Sequence, residues 1–461
     1  MSALTRSLAA LAADLDDGLI TARGLAEEAI ANHEIQGEPL HAYLTWTPTR
    51  ARKAADAADA AFAAGMRAGP LQGIPVSLKD LFAAKGFPTF AGSNRRLPPA
   101  WEEDGPVVAS IRRQLGIFMG KTHMVEFAFG GTGQNHHWGA PRNPWDKGVH
   151  RSPGGSSSGA GVSLLEGSAL LALGSDTAGS VRIPAAMTGT VGLKITLGRW
   201  SAAGVVPLSP TFDTPGFLAR SVADAAYAFA AIDPAAPRIP SPDIAGLRIG
   251  IGDPHLWGEC DPGIAEGAKA ALDALGAKGA VLREGLLPEA KDAYQVFLAG
   301  GFSAIELRNF LDQNLPAWLG ELDPVIAPLV MNAEKLPARE YLARLDRMKG
   351  LAPPARARFD SFDVIASPTV CITPPPISEA EDADGHWRIN RRLVRNTVGV
   401  NYLGLCAVTL PVALDCAGMP VGLQFIAAPH AEERLLAVAL AAERVLGTAR
   451  ERLGAAPLAA A

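Results

Sequence analysis

Two hydroxyl-rich glycine loops flank an apolar stretch between Ser152 and Thr196, in SPGGSSSGAGVSLLEGSALLALGSDTAGSVRIPAAMTGTVGLKIT. Glycine admits backbone conformations closed to other residues, so such loops can set hydroxyls where bulkier side chains would block a substrate. Gly and Ser clusters are also the common material of turns and linkers. Here both loops abut apolar regular structure, which argues against a linker. The second runs straight into a predicted helix whose first turn carries amide donors with no partner inside the helix. A serine at that helix start can attack a carbonyl while neighbouring N–H groups stabilise the negative oxygen that forms. Asp176-Thr177-Ala178-Gly179-Ser180 has that arrangement.

Other patterns compete with it. Gly155-Ser156-Ser157-Ser158-Gly159 satisfies GxSxG, which would make Ser157 the nucleophile of an α/β-hydrolase-type esterase; that elbow follows an apolar strand, whereas NPWDKGVHRSP precedes this one. His255, His386 and His430 then read as ordinary polar residues. GIFMGKT at 116–122 is one residue short of a phosphate loop. His136 and His137 are adjacent and face different ways on regular structure, so loop hydrogen bonding is expected there and no metal site.

These loops need elements to hold them. GIPVSLKD at 73–80 alternates apolar and polar side chains after a turn-prone glycine, which predicts a short strand with Lys79 at its tip. Helices are predicted over 4–34, broken near residues 16–18, and over 50–64. PVVASIRRQLG from Pro106 predicts a helix leading into the strand IFMG. GAGVSLLEGSALLALGSD predicts a helix running into a strand, followed by a helix near 181–189, the segment VGLKIT and a helix over 219–232. The Pro-rich DPAAPRIPSP is the best linker candidate. Beyond it LRIGIG, a helix around 262–276 and VLREG repeat the alternation of strand and helix, and a mainly helical stretch runs to about 356. DVIASPTV, CAVTLPVAL and MPVGLQFIA read as buried strands, with AEERLLAVALAAERVL as a closing helix.

Composition removes several function classes. The 461 residues are 48% hydrophobic and 19% charged, with 48 Gly and 36 Pro, which suits a folded protein rich in tight turns. Net charge is −5 and no Lys or Arg run forms a phosphate-binding stripe, so nucleic acid is not an expected partner. The four cysteines have no CxxC spacing, which points to buried free thiols. No basic stretch precedes an apolar signal core, and no apolar run nears the roughly 18 residues that span a membrane, so a cytoplasmic protein is expected.

GGSSSG, DTAGSVRIPA and the upstream GIPVSLKD together resemble the amidase signature family. EFAFGGTGQN at 126–135, NPWD at 143–146, VGLKIT at 191–196 and GMPVGLQFIAAP at 418–429 are similar to further segments of it, so the resemblance spans residues 20–445. It implies an α/β fold, a large mixed β-sheet core covered by helices. It also implies one domain over residues 1–461, in which the helical stretch around 286–356 shapes the substrate pocket. It implies that Ser156, after a cis peptide bond from Gly155, bridges Lys79 to the nucleophile Ser180. Lysine is charged at neutral pH, with an ordinary pKa of about 10.4, so burial must lower that value before Lys79 can act as a base.

By the same resemblance the backbone amides of Thr177, Ala178, Gly179 and Ser180 form an oxyanion hole, although glycine is commoner in the family where Ala178 stands. Asp176 and Arg182 are expected to pair and brace the loop, with a plain surface ion pair as the other reading. Ser157 is expected to hydrogen-bond Lys79. Phe129 and Gly130 match a segment that lines the acyl pocket, although an aromatic so placed is commonly simple core. The implied activity is hydrolysis of a small-molecule carboxylic amide to carboxylate and ammonia or amine through an acyl-enzyme on Ser180, with no metal or cofactor. Within the family the alternative is the A subunit of a tRNA-dependent amidotransferase, which releases ammonia from glutamine for a partner subunit. An inactive scaffold is the reading from another class, and retention of Lys79, Ser156 and Ser180 gives it no support. The acyl group, the choice among amide, carbamate and ester, and the oligomeric state, a homo-oligomer included, are not set by these motifs.

Overall fold

Short runs of β-branched and aliphatic residues become the strands of one sheet in the computed structural model, which describes residues 5–459. Residues 1–4 and 460–461, where the first predicted helix begins and the Ala-rich tail ends, lie outside the described residues. The strands are β1 (Tyr43–Trp46), β2 (Pro75–Lys79), β3 (Ile117–Thr122), β4 (Leu171–Asp176), β5 (Val191–Lys194), β6 (Thr214–Ala219), β7 (Arg248–Ile251), β8 (Val281–Glu284), β9 (Val364–Pro368), β10 (Cys406–Leu414) and β11 (Pro420–Ala427). Their order in the 11-stranded sheet is β1-β3-β2-β4-β6-β5-β10-β11-β9-β7-β8. β2 runs parallel to both β3 and β4, and β7 runs parallel to β8 and β9. The pairs from β4 through β6, β5, β10 and β11 to β9 are antiparallel, so the sheet is mixed.

Alternation along the strands separates two apolar cores. Side chains on a strand point to opposite faces in turn. Val421, Leu423 and Phe425 of β11, Val408 and Leu410 of β10, and Val364 and Ala366 of β9 belong to the larger core, under the helices Ile264–Ala277 and Glu432–Leu446. Ile426, Ala407 and Ile365, the alternate residues of the same strands, join Ile183 and Met187 of the helix Arg182–Thr188 in a second core on the other face. At Gly422 an added Cβ would lie 2.6 Å from the Ala186 Cβ, so that helix sits directly on β11. The face carrying Arg182–Thr188 is the one that matters for chemistry.

Most predicted elements form close to where the sequence sets them. The helices Leu8–Asp16 and Ala22–Leu40 flank the break expected near residues 16–18, β2 ends at Lys79, and Ser158–Leu165 leads into β4. GIFMGKT is mostly strand β3; its Lys121 is buried, donating to Thr89 Oγ1 at 2.9 Å and pairing with Asp80 at 3.4 Å. The strands β1 and β6 and the helix Ala383–Val394 have no counterpart in the sequence reading. β6 reads TPGFLA, and Pro and Gly both argue against a central strand. The sheet accepts them because Pro215 stands in the second position of the strand, and a Cβ on Gly216 would lie 2.6 Å from the Leu193 carbonyl. The Pro-rich stretch after Asp233 is mostly exposed, yet β7 and β8 beyond it continue the same sheet. Among the described residues no helix is long and apolar enough to cross a membrane.

Candidate active site

β2 and β4 are parallel neighbours, so their C-terminal ends lie at one edge of the sheet, with Leu78 opposite Leu173. Lys79 closes β2 and Asp176 closes β4. Val76 and Leu78 enter the larger core, while the Ser77 hydroxyl meets Ser163 Oγ on Ser158–Leu165 at 2.9 Å. Lys79, two residues on, shares that face by alternation.

Its ammonium is wholly buried and donates to Ser156 Oγ at 2.7 Å and to Ser175 Oγ at 2.9 Å. Burial pulls Lys79 down from 10.5 to about 7, against the opposing pull of the Asp176 and Asp213 charges. Loss of hydration penalises the ammonium and not the neutral amine. Lys79 therefore has the proton balance of a base near neutrality.

Ser156 is buried and follows a cis peptide bond from Gly155. Ser152 Oγ donates to the Thr132 carbonyl at 2.6 Å and receives the Gly154 amide at 2.9 Å, which ties the loop at its start. The Val125 amide donates to the Ser156 carbonyl at 3.2 Å, and the Ser157 amide to the Ser180 carbonyl at 3.3 Å. The second of these bonds brings the two serine loops together. Exposure is zero at Lys79 and Ser156 and 6% at Ser180, so of the three Ser180 reaches the surface.

Ser157 does not hydrogen-bond Lys79. Its hydroxyl turns to the Ser175 carbonyl at 3.5 Å, and the lysine's second partner is Ser175, on the neighbouring strand. Nor does Ser157 stand on a nucleophile elbow: loop, not strand, precedes it, and it is wholly buried. That removes the α/β-hydrolase arrangement.

Asp176 and Arg182 form a buried pair, both side chains at zero exposure and 3.1 Å apart, and not a surface one. Burial alone would raise the Asp176 pKa, but the charge and hydrogen bonds of Arg182, with Lys194 and Asn401, hold it at about 2. Arg182 also donates to Gln424 Oε1 at 3.1 Å, the Thr397 carbonyl at 3.0 Å and Asn401 Oδ1 at 2.6 Å. The carboxylate accepts the amides of Gly179 at 2.8 Å, Val181 at 3.2 Å and Arg182 at 3.4 Å. The expectation for Gly179 therefore changes: its N–H serves Asp176, because a carboxylate already sits at the start of the helix. Gly179 itself has φ +130, and an added Cβ would lie 2.2 Å from Thr397 Oγ1. From the other side the Thr397 hydroxyl donates to the Ala178 carbonyl at 2.6 Å.

Phe129 and Gly130 lie on a strained turn, with Phe127 and Ala128 at φ 45 and 59. The Phe129 ring stands edge-on to Trp387 at 5.6 Å, and a Cβ on Gly130 would lie 3.1 Å from His386 Nε2. The Ile183 side chain links this turn to the loop 177–180, 3.3 Å from an added Cβ at Gly131 and 2.8 Å from one at Gly179. His136 pairs with Asp323 at 2.9 Å and His137 with Glu126 at 3.2 Å. Sequence reasoning missed Ser175, Lys194, Thr397 and Asn401. Lys194 is buried, donates to the Ile195 and Leu405 carbonyls at 2.9 and 2.8 Å, and is pushed by burial down to about 8. VGLKIT is visible as a motif; a lysine inside an apolar strand is the signal that marks it. A cavity of about 560 Å³ lined by Ser7, Asn32, Trp145, Arg220 and Thr448 lies elsewhere, between the chain ends.

A mixed α/β sheet thus carries a buried lysine and two serine-bearing loops at one edge. The chain belongs to the amidase family, whose model matches residues 25–436. It is 47% identical over 458 residues to a 2-amino-5-chloromuconic acid deaminase of Comamonas testosteroni, covering 99% of each chain. It is 34% identical to the A subunit of a glutamyl-tRNA(Gln) amidotransferase from Acidothermus cellulolyticus, over 95% of this chain and 94% of that one. A solved amidase structure superimposes with a TM-score of 0.87 at 30% identity, over 96% of this chain and all of the other. The chain is an amide hydrolase.

Proposed function

We propose that Ser180 is the nucleophile, that Lys79 is its base and that Ser156 carries protons between them. The observation that carries this reading is the wholly buried Lys79 with a pKa of about 7, hydrogen-bonded at 2.7 Å to the serine beside the nucleophile loop. Ser180 Oγ attacks the carbonyl carbon, its proton passes to Ser156 Oγ, and the Ser156 proton passes to the neutral Lys79 amine. The tetrahedral adduct expels the amine, which takes a proton back along the same path and leaves an ester on Ser180. Water then attacks the ester with the relay again as base, and the acid departs.

The amides of Thr177, Ala178 and Ser180 are the donors left to stabilise the oxyanion, since Gly179 serves Asp176. Asp176 and Arg182 hold that loop, Ser175 holds the Lys79 ammonium, and Ser157 ties its own loop to the Ser175 carbonyl on β4. Phe129 and Gly130 line the acyl side of the pocket, a placement supported by the next residue, Gly131, where an added Cβ would meet the Ile183 side chain that also faces Gly179. The chain acts as one domain, with the helical stretch around 286–356 shaping the pocket; the hydrogen bond from the Asp323 amide to Glu126 at 2.6 Å supports that placement. A cytoplasmic setting fits four cysteines that are all free.

For substrate, the acyl-enzyme path requires a carboxamide. The relative from Comamonas testosteroni, similar over 99% of both chains, supports release of ammonia from a small acid, but the amine of a 2-aminomuconic acid sits on a vinylic carbon and leaves by C–N hydrolysis outside that path. The second reading, ammonia release from glutamine for a partner subunit, rests on the more distant amidotransferase subunits. Ammonia release by the isolated chain from 2-amino-5-chloromuconate, a panel of simple carboxamides and glutamine tests both. Turnover of the carboxamides supports the acyl-enzyme reading, whereas turnover of 2-amino-5-chloromuconate alone would replace it with C–N hydrolysis that forms no acyl-enzyme. Activity on glutamine alone, appearing only with a partner subunit, would replace the hydrolase reading.

A further inference from the structure

A second buried carboxylate stands beside the nucleophile loop and takes no part in the relay. Asp213 lies in the turn before β6, with 8% of its surface exposed. One oxygen receives the Thr177 hydroxyl at 2.6 Å. The other receives the amides of Leu208 at 2.9 Å and Ser209 at 3.0 Å. All three partners donate, which is the environment of an ionised carboxylate.

Thr177 opens the segment 177–180 that leads from β4 to the nucleophile. Its hydroxyl goes to Asp213, the Ala178 carbonyl is held by Thr397 and the Gly179 amide by Asp176. The loop is thus fixed at three successive residues from three directions. The turn carrying Asp213 is itself tied to the helical stretch. Glu306 Oε2, on the helix Ser303–Asn314, accepts the Ser209 hydroxyl and the Thr211 amide, each at 3.0 Å. Tyr341, on the helix Ala338–Ala357, donates to Glu306 Oε1 at 2.9 Å.

We propose that Asp213 is a positioning residue of this active site, whose carboxylate fixes the 177–180 segment through the Thr177 hydroxyl. This rests on the assignment of Ser180 and Lys79 above. Of the charged groups nearby, Glu306 on Ser303–Asn314 acts on Asp213, and Asp213 in turn acts on Lys79 of β2, as Asp176 of β4 does. Among these the Asp213 and Asp176 charges both favour the Lys79 ammonium, so together they keep its pKa from falling further. Burial raises the Asp213 pKa itself, while the Thr177 hydroxyl and the two amides oppose that rise.

The test reads the rate at which a fluorophosphonate labels Ser180, from about pH 5 to 10, which needs no knowledge of the substrate. Asp213→Asn keeps the shape and removes the charge. It is expected to slow labelling at the alkaline plateau on the order of 10-fold, as for loss of a charge-assisted hydrogen bond, and to move the acid limb to lower pH. Thr177→Val removes only the hydroxyl, so it should slow labelling by a similar factor and leave the limb in place, with Thr177→Ser restoring the rate. Folded Asp213→Asn with the wild-type rate and limb would overturn the proposal. If Asp213→Asn does not fold, the threonine pair decides: Thr177→Val labelling at the wild-type rate overturns it. Ser180→Ala separates the two levels, since a variant still labelled as wild type would remove the nucleophile assignment itself, whereas normal behaviour of the other variants beside an unlabelled Ser180→Ala removes only the role of Asp213.

Discussion

Replacing Lys79 by methionine tests whether burial, and not a neighbouring group, makes this lysine a base. Lys79 falls from 10.5 to about 7 on folding. At pH 7 roughly half of it is neutral, against roughly one part in three thousand for an ordinary lysine, so burial raises the supply of base about 10³-fold. The same gap has a cost in stability. At about 1.4 kcal/mol for each tenfold, it amounts to on the order of 5 kcal/mol. The folded pKa is depressed, so between about pH 7 and 10.5 the unfolded chain binds more protons than the folded one, and stability rises with pH across that window. Below about pH 7 both states are protonated and the full penalty for a buried ammonium applies.

Urea unfolding of wild type and Lys79→Met at pH 6, 8 and 10 reads this directly. The difference between the two proteins cancels the titration of groups they share, Lys194 among them. Methionine leaves Ser156 and Ser175 without a donor, a loss of about 1–3 kcal/mol that does not vary with pH. The variant should therefore stand best against wild type at pH 6 and lose ground steadily to pH 10, by several kcal/mol. Its kcat/KM should fall about 10²–10⁴-fold, and the acid limb near pH 7 should disappear. A stability difference that is flat with pH, or an acid limb that survives in the variant, would refute the reasoning.

Three further outcomes are expected. Ser156→Ala should lower kcat about 10²–10⁴-fold and leave residual activity, and combining it with Lys79→Ala should be no slower than the worse single change, because one relay cannot be broken twice; rates that multiply would mean separate proton paths. Arg182→Met should destabilise the protein by about 3–5 kcal/mol in urea, since it strands the buried Asp176 charge; a loss under about 1 kcal/mol would contradict that. Gly179→Ala should reduce kcat on the order of 10²-fold, because its Cβ would press on Thr397 Oγ1 at 2.2 Å in a backbone region alanine avoids; wild-type turnover would show that the loop can give way.

Much of the site is legible in the sequence because its parts are local. Alternation along GIPVSLKD sets Lys79 at a strand end, and two glycine loops mark Ser156 and Ser180, all three of which the structure brings to one edge of the sheet. What cannot be read there depends on contacts across the chain. Thr397 and Asn401 reach the segment 176–180 from more than 200 residues away, and nothing near them in sequence announces it. Ser175 stands in place of Ser157 beside Lys79 because β4 lies next to β2, a matter of strand order that the sequence leaves open. The Gly179 amide reads as free when Asp176 is paired with Arg182 alone; the carboxylate also serves three amides. β6 is hidden by Pro215 and Gly216, residues that ordinarily end strands.

Mass spectrometry of the protein after reaction with a fluorophosphonate tests the nucleophile most directly. One adduct per chain is predicted, mapping to the peptide that contains Ser180, with loss of turnover in step with labelling. Ser180→Ala should be unlabelled and inactive at unchanged Tm. An adduct on Ser157 or any other serine, or turnover that persists in Ser180→Ala, would contradict the account.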